Sequence, residues 1–264
     1  MTSVNYINLF GDAIPFEGLM IYPVKMEYYL NFMYAISVLK QKKNRIPDIN
    51  IIKSSYLNFL FNYLFTKPDG EGDMYKNMFL TVFILSLEEE QYLSLNFMND
   101  DDGQYKMLYN HYDKNVKEKQ ILDEDGFEKL RLYLLKANGL KDVDYTLSEE
   151  MEKRLDEVNA ERAKLNHTGK VTTEDMVDYY HVWTGFSYEE IKQEPIYKFL
   201  NNVRRMVNID EWRVNKAAEL SGNVKFKEEL QHWFRHLEDT DEYGSARIAL
   251  SKFVGEFNEK VSQK

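Results

Sequence analysis

His232 and His236 stand four apart in His-Trp-Phe-Arg-His, a spacing that brings two imidazoles to one helix face, where they could share a metal ion. No third ligand is implied nearby, and the glutamate that follows the first histidine of a metalloprotease helix is missing. Two histidines flanking an aromatic stripe is the simpler reading. The acidic turn Asp100-Asp101-Asp102-Gly103 invites a calcium reading. Placing Gly103 at the sixth loop position puts Met98 first and Tyr109 last, and neither is a usable ligand. The same register on Asp123-Glu124-Asp125-Gly126 gives Ile121 and Leu132, so a solvated turn and a helix cap explain these acids without an ion. Gly70-Glu71-Gly72 lacks the third glycine and the lysine of a phosphate loop, and there is no Gly-x-Ser-x-Gly elbow. With no cysteine, thiolate metal sites, disulfides and cysteine nucleophiles are excluded. Residue chemistry therefore assigns no catalytic, cofactor or metal site, and the expectation is a protein that is not an enzyme.

The clearest local structure lies at Thr184-Gly185-Phe186-Ser187-Tyr188-Glu189-Glu190-Ile191. Ser187 followed by Glu190 is a capping box, and Phe186 with Ile191 occupies the positions of a hydrophobic staple. Gly185 is the stop of the preceding helix, and Pro195 opens the next. A second box starts at Thr172 with Asp175. The tryptophans, Trp183, Trp212 and Trp233, all fall in this part of the chain. Trp183, Phe226 and Trp233 are the candidate anchors for a partner, because aromatics cover much area with little rotamer entropy.

The 264 residues, 44% of them apolar and 14% aromatic, suffice for one or two packed domains. A formal net charge of −10 argues against a nucleic-acid coat or an anionic membrane surface as partner. No stretch is long enough to span a bilayer, and the start Met1-Thr2-Ser3-Val4-Asn5 lacks the marks of a signal peptide, so the expected location is the cytoplasm.

The predicted fold is mainly α with minor β. A small β element covers Val4 to Phe10 and Leu19 to Tyr22, turning at Gly11-Asp12. A helix follows with Met26, Tyr29, Leu30, Met33 and Ile36 on one face, and another runs from Ser54 to Phe65. Lys67 to Asp73 is a loop, and Met74 to Leu87, apolar enough for a helix or a buried strand, reads as mixed or helical from its length and Met-Leu-Phe content. Tyr92 to Phe97 pairs with Gln104 to Tyr109 across the acidic turn. Asp123 or Asp125 caps a helix burying Phe127, Leu130, Leu134 and Leu135, and Asn138-Gly139 stops it. Residues 148–166 have a thin apolar stripe (Met151, Leu155, Val158, Leu165) on an otherwise charged helix. The domains are thus 1–147, a linking helix and loop over 148–170, and a helical domain over 171–264. In the last, Met176, Tyr180 and Trp183 face inward, Ile196, Phe199, Leu200, Val203 and Met206 or Val207 form a stripe, and Asp210 caps a new helix that stops at Ser221-Gly222. Leu230, Trp233, Phe234 and Leu237 share another helix, and Ala246 to Val261 forms a terminal one.

Trp183 to Ile191, Ile196 to Phe199, Asn215 to Lys227 and His232-Trp233 together resemble a cadence of tail-assembly proteins of long-tailed bacteriophages. Leu122 to Arg131 and Ile21 to Val24 fit the same layout, so the resemblance covers parts of 19–36 and most of 120–237. It implies a non-enzymatic chaperone, host-cytoplasmic, that binds helical segments of tail proteins such as the tape measure or the tube subunits. It brings no catalytic residues or cofactor. Two other roles suit an acidic, cysteine-free chain: an inhibitor or adaptor that binds a host or defence enzyme, and a structural component of the neck or baseplate.

Overall fold

The computed structural model describes residues 11–142 and 171–222, together with positions 150, 153, 154, 157, 158, 161, 226, 230 and 232–234. The chain divides into two compact units, Met1–Ser148 with Thr172–Val203, and Glu149–Val171 with Arg204–Lys264. This departs from the three-part division read from the sequence, because residues 172–203 belong with the N-terminal part.

The first unit opens with a hairpin of β1 (Ile14–Phe16) and β2 (Leu19–Ile21). Its turn is Glu17-Gly18, both at positive φ (46° and 89°), the geometry of a tight two-residue hairpin turn. Gly11 does lie in a turn, at φ 76°, as predicted, but this hairpin closes six residues on, and the predicted strand Val4 to Phe10 lies outside the described residues. Helix α1 (Tyr29–Ile36) buries Phe32, Ala35 and Ile36, then tightens into a 3-10 turn that buries Val38 and Leu39. Leu30, predicted to face inward, is 72% exposed. The apolar residues of α1 surround the helix, so periodicity alone could not fix its inner face.

Asp48 caps the short α2 (Ile49–Lys53), and Ser55 caps α3 (Tyr56–Phe59). The predicted helix from Ser54 to Phe65 is thus shorter at its start, and it ends in a π-turn over Leu60–Leu64. The wide turn aims Phe61 at Tyr105, with ring centroids 4.5 Å apart. Helix α4 (Glu71–Ser86) packs on α1 and takes in Glu71, Gly72 and Asp73, which read as loop in the sequence. Gly70, with φ at 80°, supplies the left-handed residue at its start. Gly72 sits so close to the carbonyls of Phe65 and Lys67 that a Cβ there would lie 2.5 Å and 2.8 Å from their oxygens.

Glu89–Ser94 forms α5 where a strand was expected, and β3 is confined to Asn96–Asn99. It pairs antiparallel with β4 (Tyr105–Asn110) across the acidic turn, as expected, with Phe97 opposite Met107 and Asn99 opposite Tyr105. A third strand, β5 (Lys119–Leu122), completes the sheet β3-β4-β5. Helix α6 (Glu124–Ala137) is capped by Asp123, whose Oδ1 accepts from Gly126 N at 2.8 Å, and it buries Phe127, Leu130, Leu134 and Leu135 as predicted.

Two buried side chains tie these pieces together. Gln91 accepts from Met20 N at 3.0 Å and donates to Gly18 O at 3.2 Å, joining α5 to the hairpin. Asn138 accepts from Val24 N at 3.3 Å and donates to Leu134 O at 3.0 Å. The extended segment after β2 then meets the C-terminal elements: Met26 N donates to Glu194 O at 2.9 Å, and Ile196 N donates to Val24 O at 2.8 Å. These backbone bonds explain why residues 172–203 join the first unit.

Helices α7 (Thr173–Thr184), α8 (Tyr188–Gln193) and α9 (Ile196–Leu220) follow. The new helix expected at Asp210 does not exist. No glycine or proline occurs between Pro195 and Gly222, so nothing interrupts α9. Between 148 and 166 the described positions are helical and exposed, Val158 included at 42%. At 232–234 the backbone is bent rather than helical, which corrects the helix predicted over Leu230 to Leu237. Leu237 and the predicted helix from Ala246 to Val261 lie outside the described residues. Among the described residues the architecture is mainly α with two small antiparallel sheets. No helix among the described residues is long and apolar enough to cross a membrane.

Candidate functional site

The turn between α7 and α8 is built by local hydrogen bonds that its sequence announces. Thr172 and Asp175 form one capping box, and Ser187 and Glu190 form the other. In each box the serine or threonine hydroxyl and backbone N–H hold the acid's charged form, which lowers the pKa of Asp175 and of Glu190. Gly185, at φ 75°, ends α7 by donating its N–H to His181 O at 2.8 Å. Thr184 Oγ1 donates to Tyr180 O at 2.7 Å and accepts from Phe186 N at 3.1 Å. His181 Nδ1 donates to Phe186 O at 2.6 Å, and its ring stacks on Tyr188 at 4.7 Å. Gly185, Phe186 and Ser187 are each held by these bonds within the chain.

Beneath the turn lies a buried polar cluster. Tyr180 is 1% exposed and donates its hydroxyl to Glu194 Oε2 at 2.7 Å. Glu194, also buried, pairs through Oε1 with Lys198 Nζ at 2.7 Å, and Asn202 donates to the tyrosine oxygen at 3.2 Å. Burial, and then the hydrogen bond to Glu194, push the Tyr180 hydroxyl up to about 12. Tyr180 packs against Phe199 at 5.0 Å and Phe186 at 6.1 Å, so α7, α8 and α9 share one anchor. The sequence marked Tyr180 as inward-facing but held no local sign of its bond to Glu194.

Above this anchor the turn offers apolar surface. Val182 is 81% exposed, Tyr188 49%, and Trp183 and Phe186 38% each. Trp183 was predicted to face inward and also to be a partner anchor; it lies at the surface. Phe186 contributes only part of its ring to the staple, while Ile191 is buried. Ser187→Ala is therefore expected to cost about 1 kcal/mol through the lost cap, and Phe186→Ala no more than that, since a half-open ring leaves no closed cavity. The urea midpoints of the two variants check this, and a Phe186→Ala loss several times larger would show the ring to be core.

The other candidate anchors belong to the second unit. Phe226 is 37% exposed. Trp233 is half-buried, and its carbonyl accepts from Asn208 Nδ2 at 3.0 Å and Arg205 Nη1 at 3.4 Å. His232 lies between Trp212 and Trp233, with centroids 5.1 Å and 5.4 Å away, and Phe234 beside them is 79% exposed. His232 Nδ1 accepts from Phe234 N at 3.1 Å, and His236 lies outside the described residues.

The acidic turn is occupied by its own chain. Asp100 Oδ1 accepts from Asp102 N and Gln104 N at 3.1 Å and 2.9 Å, and Oδ2 pairs with Lys106 at 2.9 Å. Lys106 is the main cause of the lowered pKa of Asp100. Among the described residues, no three histidine, aspartate or glutamate side chains gather to hold a metal ion.

Residues 164–238 match the family model described as YomV second domain. YomV is a protein of the SPβ prophage. The match links the chain to phage and prophage proteins. It spans well under half of the chain, and the α7–α8 turn, Trp183, Phe226 and Trp233 all fall inside it. Comparison with curated proteins and with solved structures returns no match.

Proposed function

We propose that this protein is a non-enzymatic tail-assembly chaperone of a bacteriophage or prophage, and that it holds helical segments of tail proteins such as the tape measure before the tail is complete. The observation that carries this reading is a pre-formed apolar turn, with Trp183 and Phe186 exposed, inside the segment similar to a phage protein's domain. A surface held rigid by two capping boxes and a buried tyrosine binds without the cost of ordering itself. An amphipathic helical segment would bind such a surface by laying its apolar face on it. Such a helper works in the host cytoplasm and needs no cofactor.

The test is co-expression of the full chain with fragments of the tape-measure and tube proteins from the same genome, followed by affinity capture. The expected result is soluble co-purification of a tape-measure fragment, reduced at least tenfold by Trp183→Ala, about the loss of one central aromatic anchor. Circular dichroism must show the variant folded. Capture of no tail fragment overturns the proposal. Presence of the chain in purified virions would instead assign it to the neck or baseplate.

A further inference from the structure

The first unit gathers positive charge in one place, against a chain of net charge −10. The run Lys40-Gln41-Lys42-Lys43-Asn44-Arg45 begins where the 3-10 turn after α1 ends. Lys40, Lys42 and Arg45 from this run, together with Lys67, line one open cavity of about 350 Å³. The rest of its lining is Gln41 and four apolar or aromatic residues, so four cations and no acid face the same space. Lys40, Lys42 and Lys67 are half-buried. Burial, and then the charge of Arg45, lower the pKa of Lys42, so these two cations already act on one another. Lys67 shares its charge with Glu71, which pairs with it at 3.2 Å from outside the lining. The backbone that carries the cations is pinned. Tyr56, itself buried, places its hydroxyl 2.9 Å from Val38 O and 3.1 Å from Gln41 O. Gln41 Nε2 donates to Ser37 O at 3.3 Å, and Ile46 N donates to Lys43 O at 3.1 Å, closing the 3-10 turn Lys43–Arg45. Lys43 is outside the lining, because its Nζ donates to Ser54 O at 2.5 Å. Tyr63, also in the lining, stacks on Phe59 at 5.8 Å and has Lys67 Nζ 5.8 Å from its ring centroid.

We infer that this cavity binds the diphosphate group of a small anionic ligand, held by Lys40, Lys42, Arg45 and Lys67. Its volume lies at the low end of small-molecule sites, about 300–1,000 Å³. A phosphoryl group carries about −1.5 to −2 charges near neutral pH, so two adjacent groups match four cations. A single carboxylate would leave most of those cations opposed to one another. The planar fork of Arg45 suits phosphoryl oxygens, and the lysines add point charges. Because the loop is already pinned, the ligand need not order it. An extended polyanion is disfavoured, since beyond a Debye length of about 8 Å it would meet a chain of opposite preference, net −10. The site is built from other elements than the α7–α8 turn, so it stands whether or not tail segments bind there.

Isothermal titration calorimetry of the full chain with pyrophosphate, ADP and citrate tests this. Pyrophosphate is expected to bind one to one and about tenfold more tightly than citrate, whose charges sit on separated carboxylates. The double variant Lys40→Gln/Lys42→Gln should weaken pyrophosphate about tenfold or more, the loss of two charge-assisted contacts. Lys53→Gln/Lys76→Gln removes the same charge from outside the cavity and should change the affinity about twofold or less, because distant charges are screened. Arg45→Gln, at an exposed position, repeats the test should the first double variant lose its fold by circular dichroism. ADP tighter than pyrophosphate would support the site and name a nucleoside diphosphate as the source. ADP no tighter would support it with the diphosphate alone as the recognised group. Equal losses in the two double variants would overturn the site, reducing binding to the general field of the chain. Failure of both diphosphates to bind, or citrate binding as tightly, would overturn it too. A single-stranded oligonucleotide that binds more tightly than ADP, and is released by Lys40→Gln/Lys42→Gln, would assign the cations to nucleic acid and overturn the small-ligand reading.

Discussion

Replacing Arg131 with alanine should destabilise the protein by about 3 kcal/mol or more, the cost of breaking a buried ion pair. The guanidinium is 1% exposed and each of its five N–H groups has a partner. Nε and Nη2 fork onto Glu128 at 2.9 Å and 2.7 Å, while Nη1 and Nη2 fork onto Asp142 at 2.7 Å and 2.9 Å. Nη1 also donates to Leu39 O at 2.8 Å, at the end of the 3-10 turn that follows α1. The Tyr56 ring lies 4.5 Å away and adds a cation–π contact. Burial alone would lower the arginine pKa, but the bonds to Glu128 and Asp142 outweigh it and raise the pKa above the usual range. The carboxylates are 41% and 35% exposed, so they can return to water when the arginine is gone. Much of the loss therefore comes from the cavity, the stranded Leu39 carbonyl and the unsupported Tyr56. Arg131→Lys should recover only part of it, because an ammonium cannot make two planar forks. Urea unfolding of the two variants measures both losses, read as shifts of the midpoint at constant slope. A midpoint for Arg131→Ala no lower than that of Lys76→Ala, which loses only an exposed pair with Asp73, would show the cluster to be dispensable.

Arg131 also shows where the sequence stopped being informative. It stands in the run Leu122 to Arg131 as an ordinary helical charge, and nothing within one turn marks it as buried. Its carbonyl partner Leu39 is 92 residues away, so its burial is a tertiary fact. Gln91 and Asn138 are alike: each bonds the β2 segment across 71 or 114 residues. By contrast, both capping boxes, the Asp123 cap and the Gly185 stop were legible because each rule closes within three or four residues. The acidic turn was legible for the same reason. Short apolar runs were not. Tyr92 to Phe97 alternates like a strand, yet Gln91, buried and bonded to the hairpin, holds its first half in α5. Lys119 to Leu122 carries too little β-branched content to announce β5, which β4 recruits by pairing Met107 with Leu122. At the turn, the sequence showed how the backbone is held but not which way Trp183 points. Tyr180 takes the inward position and bonds Glu194, a choice fixed by α8 and α9.

The second large effect is expected at Phe79, whose loss as Phe79→Ala should cost about 3–5 kcal/mol, as for a fully buried phenylalanine. The ring is 1% exposed and is the hub of the first unit's aromatic core. Its centroid lies 5.1 Å from Phe83, 5.5 Å from Phe65 and from Phe97, 6.1 Å from Phe127 and 6.4 Å from Phe61. These partners come from α4 itself, the π-turn and the residue after it, β3 and α6, so one side chain joins helices to the three-stranded sheet. Tilted and edge-on pairs of this kind add about 0.5–1.5 kcal/mol each beyond area burial, although such terms are not additive when they share one ring. Leu80 is the internal control. It is the next residue on α4, points away and is 46% exposed, so Leu80→Ala should change stability by about 0.5 kcal/mol or less. The contrast depends on helical geometry: a strand would also separate the two, but would bury Thr81 with Phe79, whereas α4 buries Val82 and Phe83 instead. Val82→Ala should therefore be costly and Thr81→Ala mild. Near-UV circular dichroism of Phe79→Ala should lose aromatic intensity even where far-UV helicity survives. Equal urea midpoints for Phe79→Ala and Leu80→Ala would mean that α4 does not present this face to the core.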